Sequence, residues 1–338
     1  MLKVVSLKIS VIVATKNCQE HISDLMDSLA KIVDEDVQVL IIDSSTDETP
    51  EIASKYDFAE VVKFDKPGLN AARNYGVKRA DGDIVIFTDC DCIVPKNWIK
   101  NILKVFEEEN ADVVGGSAKN FFEEVYLVTD YANEGIWPVM PVYKERIILT
   151  RENFRNVRLP PGNNLAFKKA IFERGYFFDE EYKYGCDEID LLWRLCRDNF
   201  KIVVDPDVYV YHKHRTSLKE LLRQEFRYGM GHYLFFVKNR DCPISWPAAV
   251  GSYFFTLFFT LLGFSYFIFQ PLFVSLSVFT LTTLAEVYTI LFIYYFKKRK
   301  LKLKKCLLYP LLDVACHISY LLGFLNASIR ERIACRER

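Results

Sequence analysis

The 338-residue chain predicts an α/β protein: a doubly wound, mainly parallel sheet followed by membrane helices. Three observations carry that expectation. Short apolar, β-branched runs alternate with helical patterns of about ten residues, the rhythm of parallel sheets. Carboxylates stand at the ends of several of those runs, where open α/β sheets place ligands. Two long, nearly uncharged stretches then occupy the C-terminal part.

Residues 8–14 read as a buried first strand, and Ile22, Leu25, Met26 and Leu29 follow at helical spacing. Val37 to Ile42 is a second apolar strand ending at Asp43, and Thr49-Pro50 opens a helix with proline at its favoured first position. Val61 to Phe64 is a weaker third strand. A helix with small residues and Arg73 then leads through Gly82-Asp83 into a strand, Ile84 to Thr88, which ends in Asp89-Cys90-Asp91. Two carboxylates one residue apart at a buried strand end are costly unless a cation meets them. A hard divalent ion, Mg2+ or Mn2+, carrying a substrate diphosphate suits such a pair; two turn aspartates capping the next helix before Pro95 are the alternative.

Trp98 to Glu109 is helical, and Val113 to Ser117 is a strand whose Gly115-Gly116 implies a close approach of backbone or ligand. Residues 120–158 are irregular and aromatic, with Tyr126, Tyr131, Trp137 and Tyr143, and fit an acceptor-facing insertion or core packing equally. Pro160-Pro161-Gly162-Asn163-Asn164 is a rigid turn before a strand from Leu165 to Phe167. In Cys186-Asp187-Glu188-Ile189-Asp190, Asp187 and Glu188 fall in the first turn of a helix, where its dipole favours carboxylates whatever their role. Residues 201–204 and 208–211 read as two strands on either side of Asp205-Pro206-Asp207, with His212 and His214 beyond them. Leu218 to Tyr228 is an amphipathic helix.

Basic and acidic residues balance at 44 each, so no net charge argues for nucleic acid. The balance hides an asymmetry: 11 of the basic and 4 of the acidic residues lie beyond residue 244, in an apolar tail. Nine cysteines, an odd and scattered count, read as reduced thiols in a reducing compartment. The N-terminus enters a strand pattern directly, so no secretory signal is expected.

The stretch from Ala248 to Gln270 has no charge, and Leu272 to Phe296 has only Glu286. Each exceeds the roughly 20 helical residues needed to cross a bilayer, and Gln270-Pro271 turns them into a hairpin. The basic run at 297–305 favours the cytoplasmic side, which an even number of crossings shares with the N-terminal domain. The last apolar segment, 306–325, contains Pro310, Asp313 and His317 and is expected to be interfacial, with a third crossing as the alternative.

The order of SVIVATKN, VLIIDSSTDETPEIA, PGLNAARNYGVKRADGDIVIFTDCD, PPGNNLAFKKAIF, FFDEEY and CDEIDLLWRL over roughly residues 8 to 235 resembles the family 2 glycosyltransferases. The resemblance implies a Rossmann-like nucleotide-diphospho-sugar transferase (GT-A) domain at 1–240 and a membrane-anchoring domain at 241–338, the latter with helices at about 248–270 and 272–296. It places Asp43 on the nucleotide base, Arg73 near the donor, Asp89 near the ribose and the metal, Asp91 on the metal, His212 on the metal or diphosphate, and Asn163 beside the sugar. Asp187 and Glu188 stand where the family carries Glu-Asp, so Glu188 would be the catalytic base. The residues themselves leave alternatives: Asp43 as a turn aspartate bonded to Ser45 or Thr46, Arg73 as a surface cation, Asn163 as part of a turn, His212 as a hydrogen-bonded histidine.

The implied function is inverting transfer of a sugar from a nucleotide-sugar donor to a hydroxyl of a lipid-linked or membrane glycan, in the cell membrane, with the catalytic domain cytoplasmic and membrane lipids as further partners. A polyprenyl-phosphate acceptor, already ionised and needing no base, is one rival. A processive polysaccharide synthase, normally with more membrane helices, is another, and a non-catalytic glycan- or lipid-binding protein is a third.

Overall fold

A computed structural model describes residues 7–136 and 139–336; Trp137 lies outside them. The elements run in the order β1 (Ile9–Thr15), α1 (Ile22–Leu29), β2 (Val37–Asp43), α2 (Thr49–Ala53), β3 (Ala59–Lys63), α3 (Leu69–Arg79), β4 (Ile84–Thr88), β5 (Cys92–Ile93), α4 (Trp98–Glu109) and β6 (Val113–Asn120). They continue with α5 (Leu127–Glu134), β7 (Ile147–Leu149), β8 (Leu165–Lys168), α6 (Ala170–Glu173), α7 (Asp187–Arg197), β9 (Ile202–His212) and α8 (Leu218–Lys238). Last come α9 (Ser245–Ile268), α10 (Gln270–Ile293), a π-helical turn (Tyr294–Lys298) and α11 (Leu303–Arg336).

Two compact units result: residues 1–123 with 139–214, and residues 124–138 with 215–338. The first holds one nine-stranded sheet in the order β3-β2-β1-β4-β8-β6-β9-β5, with β7 on β9. Strands β3, β2, β1 and β4 are parallel; β1, β2 and β4 show the near-continuous apolar burial of parallel strands, while the edge strand β3 is only half-buried. The rest is more mixed than the sequence rhythm implied: β8 runs antiparallel to both β4 and β6, and β9 is parallel to β6 but antiparallel to β5 and β7. Ile22, Leu25, Met26 and Leu29 of α1, and Trp98, Ile102, Val105 and Phe106 of α4, pack into the same core as β1, β2 and β4.

The expected pair of strands at 201–204 and 208–211 is one strand, β9, interrupted by an excursion. Gly115 pairs with Val204, but Ser117 pairs with Tyr209, so residues 205–208 loop out between them. Asp205 anchors the excursion by accepting from Arg146 Nε at 2.6 Å and from the Asp207 amide at 2.8 Å. Gly116 permits it, because a Cβ there would lie 1.8 Å from the Val208 carbonyl oxygen. That is the close backbone approach expected of the glycine pair.

In the second unit, α9, α10 continued through the π turn to Lys298, and α11 from Leu303 to Glu331 are each long and apolar enough to cross a membrane. Helix α8 crosses α11 at glycines: a Cβ on Gly229 would meet the Tyr320 carbonyl oxygen at 1.9 Å, and one on Gly323 the Phe226 carbonyl oxygen at 1.9 Å. Small residues let helix backbones close in this way. Helix α5, from the aromatic insertion, docks here through polar groups. Tyr131 donates to Asp313 at 2.8 Å, and Lys305 pairs with Asp130 and Glu134, each at 2.9 Å. Tyr295 donates to the other oxygen of Asp313 at 2.7 Å, so the carboxylate that interrupts the last apolar segment is fully engaged. Tyr143, in the first unit, is also buried and donates to the Arg158 carbonyl. Tyr126 alone of these tyrosines is exposed.

Candidate active site

Helix α3 presents an unusual set of buried residues, Asn70, Ala71, Ala72, Arg73, Asn74, Gly76 and Val77. Its small residues let it lie close on the sheet, and its polar ones reach past the strand ends. Asn74 exchanges hydrogen bonds with the backbone of Phe178, and Asn70 donates to the carbonyls of Asp179 and Tyr182. The FFDEEY loop is thereby held against α3, just before α7 begins. Sequence reasoning passed over both asparagines; the available signal was a helix whose polar residues do not segregate to one face.

Arg73 lies on that helix and is buried, not a surface cation. One guanidinium nitrogen donates to Asp187 at 3.0 Å and the other to Asp89 at 3.2 Å. A single side chain therefore joins the Asp-Cys-Asp end of β4 to the start of α7, 114 residues away in sequence from Arg73. Burial opposes its charge, but Asp89, Asp187 and Glu188 together hold the guanidinium above its ordinary pKa. Burial, against the pull of Arg73 and with the help of Asp91, holds the Asp89 carboxyl above its ordinary value, although its side chain is 32% exposed.

Glu188 follows Asp187 at the mouth of α7. Burial first, and the adjacent Asp187 second, push its carboxyl from 4.5 up to about 8. A carboxyl poised near neutral pH is what general base catalysis favours.

Asp91 lies beyond β4, where the short β5 pairs with the end of β9. His212 Nε2 stands 3.3 Å from Asp91 Oδ1, and the Cys92 thiol belongs to the same cluster of ligand-type atoms. His212 Nδ1 in turn meets His214 Nδ1 at 2.6 Å, so the second histidine orients the first ring, a role not legible from residue order. Burial, then Asp91 and Asp89, push the Cys92 thiol well up, which keeps it protonated and a poor ligand. The remaining oxygen and nitrogen donors fit Mg2+ or Mn2+.

The two asparagines of the turn at 160–164 part company. Asn164 is structural: its amide accepts from Trp98 Nε1 at 2.9 Å and donates to the Ser117 carbonyl at 2.9 Å. Asn163 is 2% exposed, yet neither its Oδ1 nor its Nδ2 has a hydrogen-bond partner among the described residues. A buried amide left unpaired is rare enough in folded proteins to point to a ligand. Its neighbour Gly162 offers a carbonyl to Arg73 at 3.5 Å.

Asp43 closes β2, as expected, but its hydrogen bonds are local. It accepts from Thr15 Oγ1 and Ser45 Oγ, both at 2.6 Å, and from the Ser45 amide at 3.0 Å. None of these reaches the Arg73 cluster. The expectation of free thiols is corrected at one pair, since Cys18 and Cys90 form a disulfide across 72 residues of sequence. It ties the segment after β1 to the turn between Asp89 and Asp91. Six other cysteines are free and buried.

Comparisons with known proteins agree with this geometry. The glycosyl transferase family 2 model matches residues 10–176. The poly(ribitol-phosphate) beta-N-acetylglucosaminyltransferase TarS of Staphylococcus aureus is 33% identical over 62% of this chain, and the match spans only 36% of that longer protein. A dolichyl-phosphate hexose transferase of Haloferax volcanii is 31% identical over 32% of this chain and 46% of its own length. The mannosyltransferase PcManGT of Pyrobaculum calidifontis, solved with GDP-Man and Mn2+, superposes with a TM-score of 0.63 at 17% identity, covering 93% of this chain and 87% of that one. The fold is the Rossmann-like GT-A fold of glycosyltransferases. Residues 10–176 are thus a glycosyl transferase family 2 domain.

Proposed function

We propose that this protein is a membrane-anchored, inverting glycosyltransferase that moves a sugar from a nucleoside-diphosphate sugar to a hydroxyl of a lipid-linked glycan or glycolipid. The observation that carries the reading is the buried Arg73, which draws Asp89 and Asp187 into one site with Asp91, His212 and Glu188. Asp91 and His212, with Asp89 beside them, would hold a divalent cation. When bound, it offsets the diphosphate charge as the donor bond breaks. The unpaired amide of Asn163 takes the hydroxyls of the donor sugar, and Asp43 lies towards the nucleotide.

Glu188 accepts the proton of the acceptor hydroxyl. The freed oxygen attacks the anomeric carbon from the face opposite the diphosphate, and the carbon–oxygen bond to the diphosphate breaks, its electron pair leaving with the nucleotide. One displacement inverts the centre. Lys297, Lys298, Arg299 and Lys300, after two crossings, favour the cytoplasmic side for the hairpin's open end and so for the catalytic unit, where sugar nucleotides are made.

The Haloferax relative keeps a second reading in view, transfer to a polyprenyl phosphate. Such an acceptor is already ionised and needs no base, so the raised Glu188 favours a hydroxyl. Labelled nucleotide-sugars and Mn2+, supplied to membranes containing the full chain, test both. The expected product is an elongated lipid-linked glycan with inverted anomeric configuration. A sugar recovered on polyprenyl phosphate overturns the hydroxyl acceptor, a retained configuration overturns the single displacement, and no transfer or hydrolysis with any donor overturns the enzyme.

A further inference from the structure

Three helices are apolar enough to cross a bilayer, and how the third meets the other two decides the topology. Helix α11 touches the α9–α10 hairpin at its open end. Tyr288 of α10 donates to the Leu307 carbonyl at 3.1 Å, and Tyr295 stacks edge-on with Tyr309. Towards its other end, Phe324 packs with Ala249, and Ser328 meets Tyr253 of α9 at 3.5 Å. Tyr253 lies before the turn at Phe269 by about 24 Å along its helix and Tyr288 after it by about 28 Å, at 1.5 Å per residue. The two ends of α11 therefore rest within about one helical turn of the same level. Had α11 run down beside α10, residues near 324 would lie against the turn; they lie against the start of α9 instead.

We propose that α11 lies along the membrane surface, seated in the headgroup–acyl boundary across the open end of the hairpin, and that the chain crosses the bilayer twice. The level it occupies is close to one hydrocarbon thickness from the turn, roughly 30 Å. Its lipid face is visible as a single stripe: Leu303, Leu307, Leu311, Ile318, Leu322 and Ile329, between 38% and 58% exposed. Their spacing of 4, 4, 7, 4 and 7 residues keeps all six on one side of a helix with 3.6 residues per turn. The occupant is lipid because the stripe continues the exposed apolar surface of the two spans, where Leu257, Leu261 and Leu281 are all more than half exposed.

The polar partners of α11 fit the surface placement. Ser319 donates to the Leu222 carbonyl of α8, so the exposed Arg223 and Arg227 travel with the middle of α11. Asp130 and Glu134 of α5 travel with its first turns through Lys305. A third crossing would carry these charges into hydrocarbon, where arginine and aspartate are costly. At the boundary they remain in the headgroup layer, and the C-terminus returns to the side from which α9 enters.

This inference rests on the membrane anchor and not on catalysis, and its test reads depth rather than activity. Nitroxides are attached at Leu322→Cys and, separately, Leu281→Cys, in a Cys335→Ser background of the full chain. The protein is reconstituted in vesicles of phosphatidylcholine and phosphatidylglycerol, and collision with oxygen is compared with collision with a water-soluble nickel chelate. Burial of the six free cysteines protects them from the label. Expected is an oxygen-dominated signal at position 281 and a shallow, intermediate one at 322. Equal depth at the two positions overturns the proposal in favour of a third crossing. Full nickel access at 322 overturns it too, since the stripe would then face water or solvent channels, and nickel access at 281 would sink the anchor itself. Protease accessibility of N- and C-terminal tags on sealed vesicles supplies a label-free check: tags on the same side support two crossings, tags on opposite sides refute them.

Discussion

Replacing Glu188 with glutamine separates a catalytic carboxyl from a helix-terminal one by two readouts of different origin. Burial and Asp187 raise the Glu188 carboxyl from 4.5 to about 8. The folded state thus holds this proton more tightly than the unfolded chain does. The stability it contributes is complete below about pH 4.5 and is lost as pH rises through about 8. A shift of this size corresponds to at most about 5 kcal/mol, and roughly 2–5 kcal/mol is expected. Glutamine has no proton to lose. Between about pH 5 and pH 9 the wild type should therefore fall in melting temperature relative to the variant, by about 4 °C or more at 2–4 °C per kcal/mol. Transfer should drop about 100- to 10,000-fold, with donor binding retained. Differential scanning fluorimetry across pH and transfer assays with labelled donor read the two effects. A variant with near-wild-type transfer and an unchanged pH profile of melting would refute both the base and the environment assigned to it.

Three further changes probe the rest of the site. Arg73→Met should cost about 3–5 kcal/mol, because it leaves Asp187 buried without its cation; a melting temperature unchanged from wild type contradicts the bridge. Asn163→Ala should leave stability within about 1 kcal/mol, since the amide has no protein partner to lose, while transfer falls at least tenfold. Strong destabilisation with normal turnover would make it structural. Asp91→Asn should abolish the Mn2+-dependent part of nucleoside-diphosphate binding in calorimetry, the ion having lost an anionic ligand. Unchanged affinity means that Asp91 does not hold the ion.

Much of this architecture is a local matter and was legible in the order of residues. Strands β1, β2 and β4 announce themselves as β-branched apolar runs, and α1 and α4 by their 3.6-residue spacing, because burial on a sheet face or helix stripe leaves a periodic mark. The hairpin is legible for the same reason, since two nearly uncharged lengths of this size match a bilayer. Asp43, Asp89 and Asp91 could be nominated from strand ends, whereas Glu188 stood out only through the family resemblance, since any helix start favours a carboxylate. What periodicity cannot carry is pairing between distant segments. The antiparallel insertion of β8 between β4 and β6 has the same apolar pattern as a parallel strand. Residues 205–208 loop out because Gly116 admits the Val208 carbonyl, a contact across 92 residues. Asn163 and Asn164 are identical neighbours in sequence; only the fold satisfies one amide with Trp98 and Ser117 and leaves the other empty-handed. Likewise, composition made α11 a candidate to cross the membrane, whereas its contacts with both Tyr288 of α10 and Tyr253 of α9 depend on two helices that only the fold brings to it. Propensity and hydropathy are properties of a segment, but whether a buried amide is satisfied, or which way a helix runs, belongs to the partners that three-dimensional packing brings.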